Sequence, residues 1–132
     1  MQLLKLFSLL LCAIGLFTAC EKDKDDTNKP TIAGFWKGKY GGINNYPTLA
    51  YGQLFRADGT VRVYDGNDTA TAAKGEGTYV VSNGTVNTTY SYGTSNKYST
   101  AASIDAAMTL QEGTYGTGTN ATNGGRYFIV KQ

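Results

Sequence analysis

Tyrosine is the side chain with most to offer here: the chain has 10 tyrosines, one tryptophan and no histidine in 132 residues. Tyr40, Tyr51, Tyr79, Tyr90, Tyr92, Tyr98, Tyr115 and Tyr127 all fall on segments that read as β-strands. Each ring brings a large apolar body and a hydroxyl that needs a partner once buried. Clustered rings therefore do one of two things: fill a core, or wall a cavity for a planar or hydroxylated ligand. Aliphatic core candidates are few, so tyrosine must supply buried area in either case. The best-placed group for a ligand site is Tyr90, Tyr92 and Tyr98, because two adjacent strands put those rings on one face.

Other chemistries fall away quickly. Without histidine, neither a Ser-His-Asp nor a Cys-His arrangement can be built, and the commonest metal ligand is missing. Asp58, Asp65, Asp68, Glu76, Asp105 and Glu112 are scattered, several in turns where aspartate serves the local backbone. A glycosidase needs two carboxylates facing one cleft about 5–10 Å apart; Glu76 with Glu112 is the pair left standing. The run Gly113 to Gly118 has neither the lysine nor the helix that a phosphate loop uses. With 12 basic and 10 acidic residues spread along the chain, no stripe for nucleic acid forms. The expectation is a non-catalytic protein without metal or cofactor.

The first 30 residues concern location. Lys5, an apolar run from Leu6 to Phe17, and the small residues Thr18 and Ala19 read as a signal peptide over residues 1–19. The apolar stretch is short of the ~20 residues that span a bilayer. Phe17-Thr18-Ala19-Cys20 resembles the lipobox of bacterial lipoproteins, and the resemblance implies that Cys20 is lipidated and becomes the mature N-terminus. Residues 20–30 carry almost no apolar side chain and read as a solvated tether. Their Lys and Asp content is similar to the export signals of surface lipoproteins from Bacteroidetes-type bacteria. The implied location is the bacterial outer membrane, lipid-anchored, on its surface or periplasmic face. Cys12 leaves with the leader and lipid occupies Cys20, so no disulfide holds the rest.

Residues 31–132 are long enough for one small domain. Tyr, Thr and Gly dominate, and apolar residues at helical spacing are missing. Period-two alternation recurs instead. Val86, Thr88, Tyr90 and Tyr92 share one side of Thr85–Tyr92, and Tyr98, Thr100, Ala102 and Ile104 share one side of Lys97–Ile104. Asp58-Gly59 and Asn83-Gly84 read as tight primed hairpin turns. Further strands are expected over Gly34–Tyr40, Tyr51–Ala57, Thr60–Asp65, Gly77–Ser82, Met108–Tyr115 and Arg126–Lys131. Ala70–Ala73 and Asp105–Ala107 offer at most a helical turn. The fold class is all-β: an antiparallel up-and-down meander of about eight strands, closed or nearly closed into a barrel because closure removes exposed edges.

Gly34-Phe35-Trp36, preceded by Ile32, resembles the G-x-W signature that opens the first strand of lipocalins and other calycins. That likeness implies a lipocalin-like barrel in which Trp36 plugs the closed end and a basic residue of the last strand, Arg126 or Lys131, packs over its indole. With that end closed, Tyr90, Tyr92 and Tyr98 mark the open mouth. The functional expectation is a monomeric cell-envelope lipoprotein that binds a small apolar or aromatic molecule and no nucleic acid. The alternative is a surface accessory or adhesion lipoprotein with a filled barrel, whose loops contact protein or glycan. Cavity size separates them, since a ligand site usually needs about 300 Å³ or more.

Overall fold

Eight strands that each have a face to bury have a common solution: a sheet that closes on itself. The computed structural model describes residues 29–132, so the leader and Cys20 lie outside the described residues. The strands are β1 (Gly34–Gly42), β2 (Leu49–Phe55), β3 (Thr60–Asp65), β4 (Ala73–Ser82), β5 (Thr85–Tyr92), β6 (Asn96–Ile104), β7 (Leu110–Thr117) and β8 (Gly125–Lys131). Each pairs antiparallel with the next, and β8 returns to β1, giving a closed up-and-down barrel. No edge is left for another chain to pair with.

The turns follow local chemistry. At Asn83-Gly84 both residues have positive φ, 51° and 72°, as a two-residue primed hairpin demands. Asp58-Gly59 differs from that expectation. Only Gly59 is left-handed there, and the loop runs from Arg56 to Gly59, with Gly59 N–H donating to Arg56 O at 3.2 Å. Asp58 instead accepts from the Thr60 amide and hydroxyl at 2.9 and 2.7 Å. Several strand limits also move. β2 starts at Leu49, because Leu49 pairs with Tyr40 across a short loop. β4 starts at Ala73, four residues before the expected Gly77, because β3 extends far enough to pair Asp65 with Ala73. Met108, expected to begin β7, takes φ 53° in the preceding turn, where the Asp105 carboxylate accepts the amides of Thr109 and Leu110.

Antiparallel order sorts the connections to two ends. The loops after β2, β4 and β6 lie at one end, with the residues that lead into β1 and out of β8. The loops after β1, β3, β5 and β7 lie at the other. The first end is packed solid. Trp36 is fully buried, its indole N–H donates to Ile32 O at 2.9 Å, and Phe55 meets its ring edge-on at 6.0 Å. Val61, Val86 and Ile129, all fully buried, belong to the same core.

The parity of β8 decides which basic residue shares the face of Trp36. Lys131 is the register partner of Trp36 and so shares its face of the sheet; its ammonium donates to Thr31 O. Arg126 pairs with Gly41 near the far end and lies an odd number of residues from Lys131. It therefore points outward, is exposed, and borders a shallow external groove with Pro47, Glu112 and Phe128. The assignment of Arg126 over the indole is corrected accordingly. The cation–π contact among the described residues is elsewhere, Lys37 over Phe35 at 5.4 Å on the outer wall.

Candidate functional site

On β1 the side chains of Trp36 and Tyr40 face inward four residues apart, so about 13 Å of strand separates the plugged end from the level of Tyr40. At that level the barrel is hollow. A cavity of about 230 Å³, open to solvent, is lined by Tyr40, Tyr51, Asp65, Tyr90, Tyr92, Tyr98 and Tyr115. Among the described residues, six rings and one carboxylate form the lining.

The three tyrosines singled out from the sequence converge here. Tyr90 and Tyr98 are direct partners across β5 and β6, and their rings stack at 5.6 Å with 18° between planes. Tyr92, next inward on β5, stands edge-on to both, at 5.7 and 5.8 Å. Gly75 on β4 makes room for them. A Cβ there would lie 2.9 Å from the Tyr90 ring and 3.4 Å from that of Tyr92. A second group closes the other side: Tyr40 meets Tyr51 and Tyr115 edge-on, each at 5.7 Å.

Tyr40, Tyr51, Asp65 and Tyr115 were not singled out as site residues from the sequence. Their signal was parity combined with end. Tyr40 is in phase with buried Trp36 but two inward positions nearer the far end, and Asp65 is likewise in phase with Val61 and Val63 on β3. An inward position at the mouth end is where the tyrosines collect.

Burial and a single negative charge set the electrostatics. Tyr40 donates to Asp65 Oδ1 at 3.0 Å, and burial together with this bond pushes its phenol up to about 12. Tyr90 is raised to about 12, chiefly by burial, with Tyr98, Tyr115 and Asp65 adding to the effect. Burial also raises Tyr51, Tyr92 and Tyr115, and Asp65 adds to the shift of the last two. These five rings are therefore neutral phenols at physiological pH.

Below the rings lies a buried polar set. Gln53 donates to the Tyr51 hydroxyl at 2.8 Å, which couples it to the cavity wall, but its Oε1 has no partner. Thr88 Oγ1 and both amide atoms of Gln111 are also unpartnered, with Gln53 and Gln111 fully buried. Unsatisfied buried groups cost stability, so this layer is a weak point of the core.

Among the described residues, no carboxylate pair faces the interior. Glu76 lies on the outer face of β4 and is bound by Arg56 at 3.4 Å and by Arg62. Glu112 lies on the outer face of β7. The arrangement offers π-surface, phenolic hydroxyls and one carboxylate. No family model matches the chain, and neither a curated protein nor a solved structure matches it.

Proposed function

We propose that the chain is a cell-envelope lipoprotein whose lipocalin-like barrel binds one small molecule in the tyrosine-lined mouth. The observation that carries the reading is the division of the barrel interior: solid around Trp36, hollow among six tyrosines at the opposite end. At about 230 Å³ the cavity falls below the ~300 Å³ at which drug-sized sites begin, so it suits a compact ligand of a few heavy atoms or one small ring. Hydroxyls around the wall favour a ligand with polar edges over a bare acyl chain, since each displaced water leaves a phenol in need of a partner.

The leader and the barrel ends support one orientation. Thr31 enters β1 at the plugged end, so a tether from a lipidated Cys20 would attach there and leave the mouth facing away from the membrane. Two acyl chains, at about 0.8 kcal/mol per buried methylene, give stable anchoring. Replacing Cys20 with Ser should move the protein from the detergent phase to the aqueous phase; unchanged partitioning would rule out the lipid anchor. The binding reading is tested by a thermal-shift screen of small phenols, hydroxylated rings and substituted amines. Hits should disappear in Tyr98→Ala.

One observation favours a second reading. Ile43, Tyr46 and Leu49, at 58%, 78% and 55% exposure, sit in or beside the β1–β2 loop at the mouth end. An accessory lipoprotein would use such side chains to contact a partner. In that case Ile43→Ser with Tyr46→Ser abolishes attachment and leaves small-molecule binding untouched.

A further inference from the structure

The lining of the cavity says more about its ligand than its size does. Among the described residues, Asp65 is its only charged side chain, and no lysine or arginine lines it. Two ion pairs occur among the described residues, Arg56 and Arg62 with Glu76, and neither involves Asp65. Among the described residues, its one side-chain hydrogen bond is from a neutral phenol, Tyr40. A carboxylate without a cation thus stands at the rim of a box of tyrosines. Apart from the stacked pair Tyr90 and Tyr98, the paired rings stand steeply to one another. Tyr92 is turned 83° from Tyr90 and 80° from Tyr98, and Tyr40 is turned 85° from Tyr115. The walls therefore meet at near right angles, so that an occupant is bordered by aromatic surface on several sides.

This combination has a definite electrostatic meaning. The face of an aromatic ring is negative and attracts a cation within about 6 Å, more strongly once water is excluded. The Asp65 charge adds to the same field, and its reach is visible in its contribution to the raised phenols of Tyr40, Tyr90, Tyr92 and Tyr115. A carboxylate or phosphate ligand would meet repulsion with no compensating base. A neutral ring would gain the apolar contact but leave the charge unused.

We propose that the occupant is a small substituted ammonium, its alkyl groups against the tyrosine rings and its positive charge facing the Asp65 carboxylate. The inference rests on the reading of the cavity as a ligand site and narrows it to a chemical class. The volume of about 230 Å³ accommodates an ion of the size of choline. Asp65 selects for charge, and the rings select against strongly hydrated primary ammonium and metal ions.

The test uses two probes of the same shape. Choline and its uncharged isostere 3,3-dimethylbutan-1-ol are titrated into the protein with ring-labelled tyrosine, and the signals of Tyr90, Tyr92 and Tyr98 are followed by NMR. Choline should bind at least about tenfold more tightly than the alcohol, the scale of one unit charge about 6 Å away at intermediate dielectric. Asp65→Asn, which retains an oxygen to accept from Tyr40, should bring the two probes to within about threefold, an almost complete loss of that charge contribution. Equal binding of both probes to the wild type overturns the cation assignment while leaving a ligand site in place. Absence of any shift with choline also overturns it. In that case a phenol that shifts the same rings keeps the binding reading, and silence with every compound removes both.

Discussion

Tyr90 and Tyr98 face each other across β5 and β6, with ring centroids 5.6 Å apart and planes 18° from parallel. Tyr90 is 5% exposed, whereas Tyr98 is half-buried at the lip. One ring therefore belongs to the core and the other to the mouth. Tyr98→Ala should weaken ligand binding by about tenfold or more while costing about 1–3 kcal/mol of stability, the scale of its two aromatic pairs, with Tyr90 and Tyr92. Parallel calorimetry and urea unfolding check both parts. Unchanged affinity would remove Tyr98 from the site.

Trp36 should behave in the opposite way. It is fully buried, bonded to Ile32 and packed on Phe55. Trp36→Ala should cost about 3–5 kcal/mol in urea unfolding. Where the variant still folds, its affinity for ligand should stay within about threefold of wild type. A stable variant without binding would make Trp36 part of the site.

The plan of the barrel was legible because two of its causes are local. Alternation in Thr85–Tyr92 and Lys97–Ile104 told which side chains face inward, and Asn83-Gly84 fixed the hairpin between β4 and β5. The start of β4 was not legible. Ala73, Lys74 and Gly75 have weak strand preference, and only pairing with Val63, Tyr64 and Asp65 draws them into the sheet. Half of the cavity was visible for the same reason. Tyr90, Tyr92 and Tyr98 belong to one hairpin, whereas Tyr40, Tyr51, Asp65 and Tyr115 come from four strands that only closure brings together. Arg126 was misplaced because a residue type was followed along β8 without its parity.

Gln111 offers a test of the core. Both of its side-chain polar atoms are buried without a partner. Gln111→Met keeps the volume and removes the unsatisfied amide, so stability should rise by about 1–2 kcal/mol in urea unfolding. A loss of similar size would mean that bound water satisfies the amide.

Stability should fall at both extremes of pH. Asp105, held below its ordinary 3.8 by the Leu110 amide and the hydroxyl and amide of Thr109, favours the fold while ionised. Asp58, through Thr60, and Asp68, through the Ala70 amide and the Thr71 hydroxyl, do likewise. Their contribution is present above pH 3.8 and is lost as pH drops through their lower folded values. Tyr40 and Tyr90 are raised from 10.0 to about 12, so their contribution is complete below pH 10 and is lost as pH climbs through 12. Denaturation midpoints across pH, with tyrosinate absorbance, check this. Ionisation of these two phenols near pH 10 with the fold intact would contradict it.

On the proposed reading, the mouth among the tyrosines, and not the plugged end, receives a small molecule. The most direct measurement of this is an NMR titration of ring-labelled tyrosine with small phenols, hydroxylated rings and substituted amines, with assigned signals for Tyr92 and Tyr98 at the mouth and Tyr79 near the plugged end. Tyr79 packs on Phe55 at 4.9 Å and donates to Arg56 O at 2.7 Å, so it reports on the closed end. At least one compound should produce saturable shifts at Tyr92 and Tyr98 and leave Tyr79 unmoved. Shifts centred on Tyr79, or none at any ring with any compound, would contradict it.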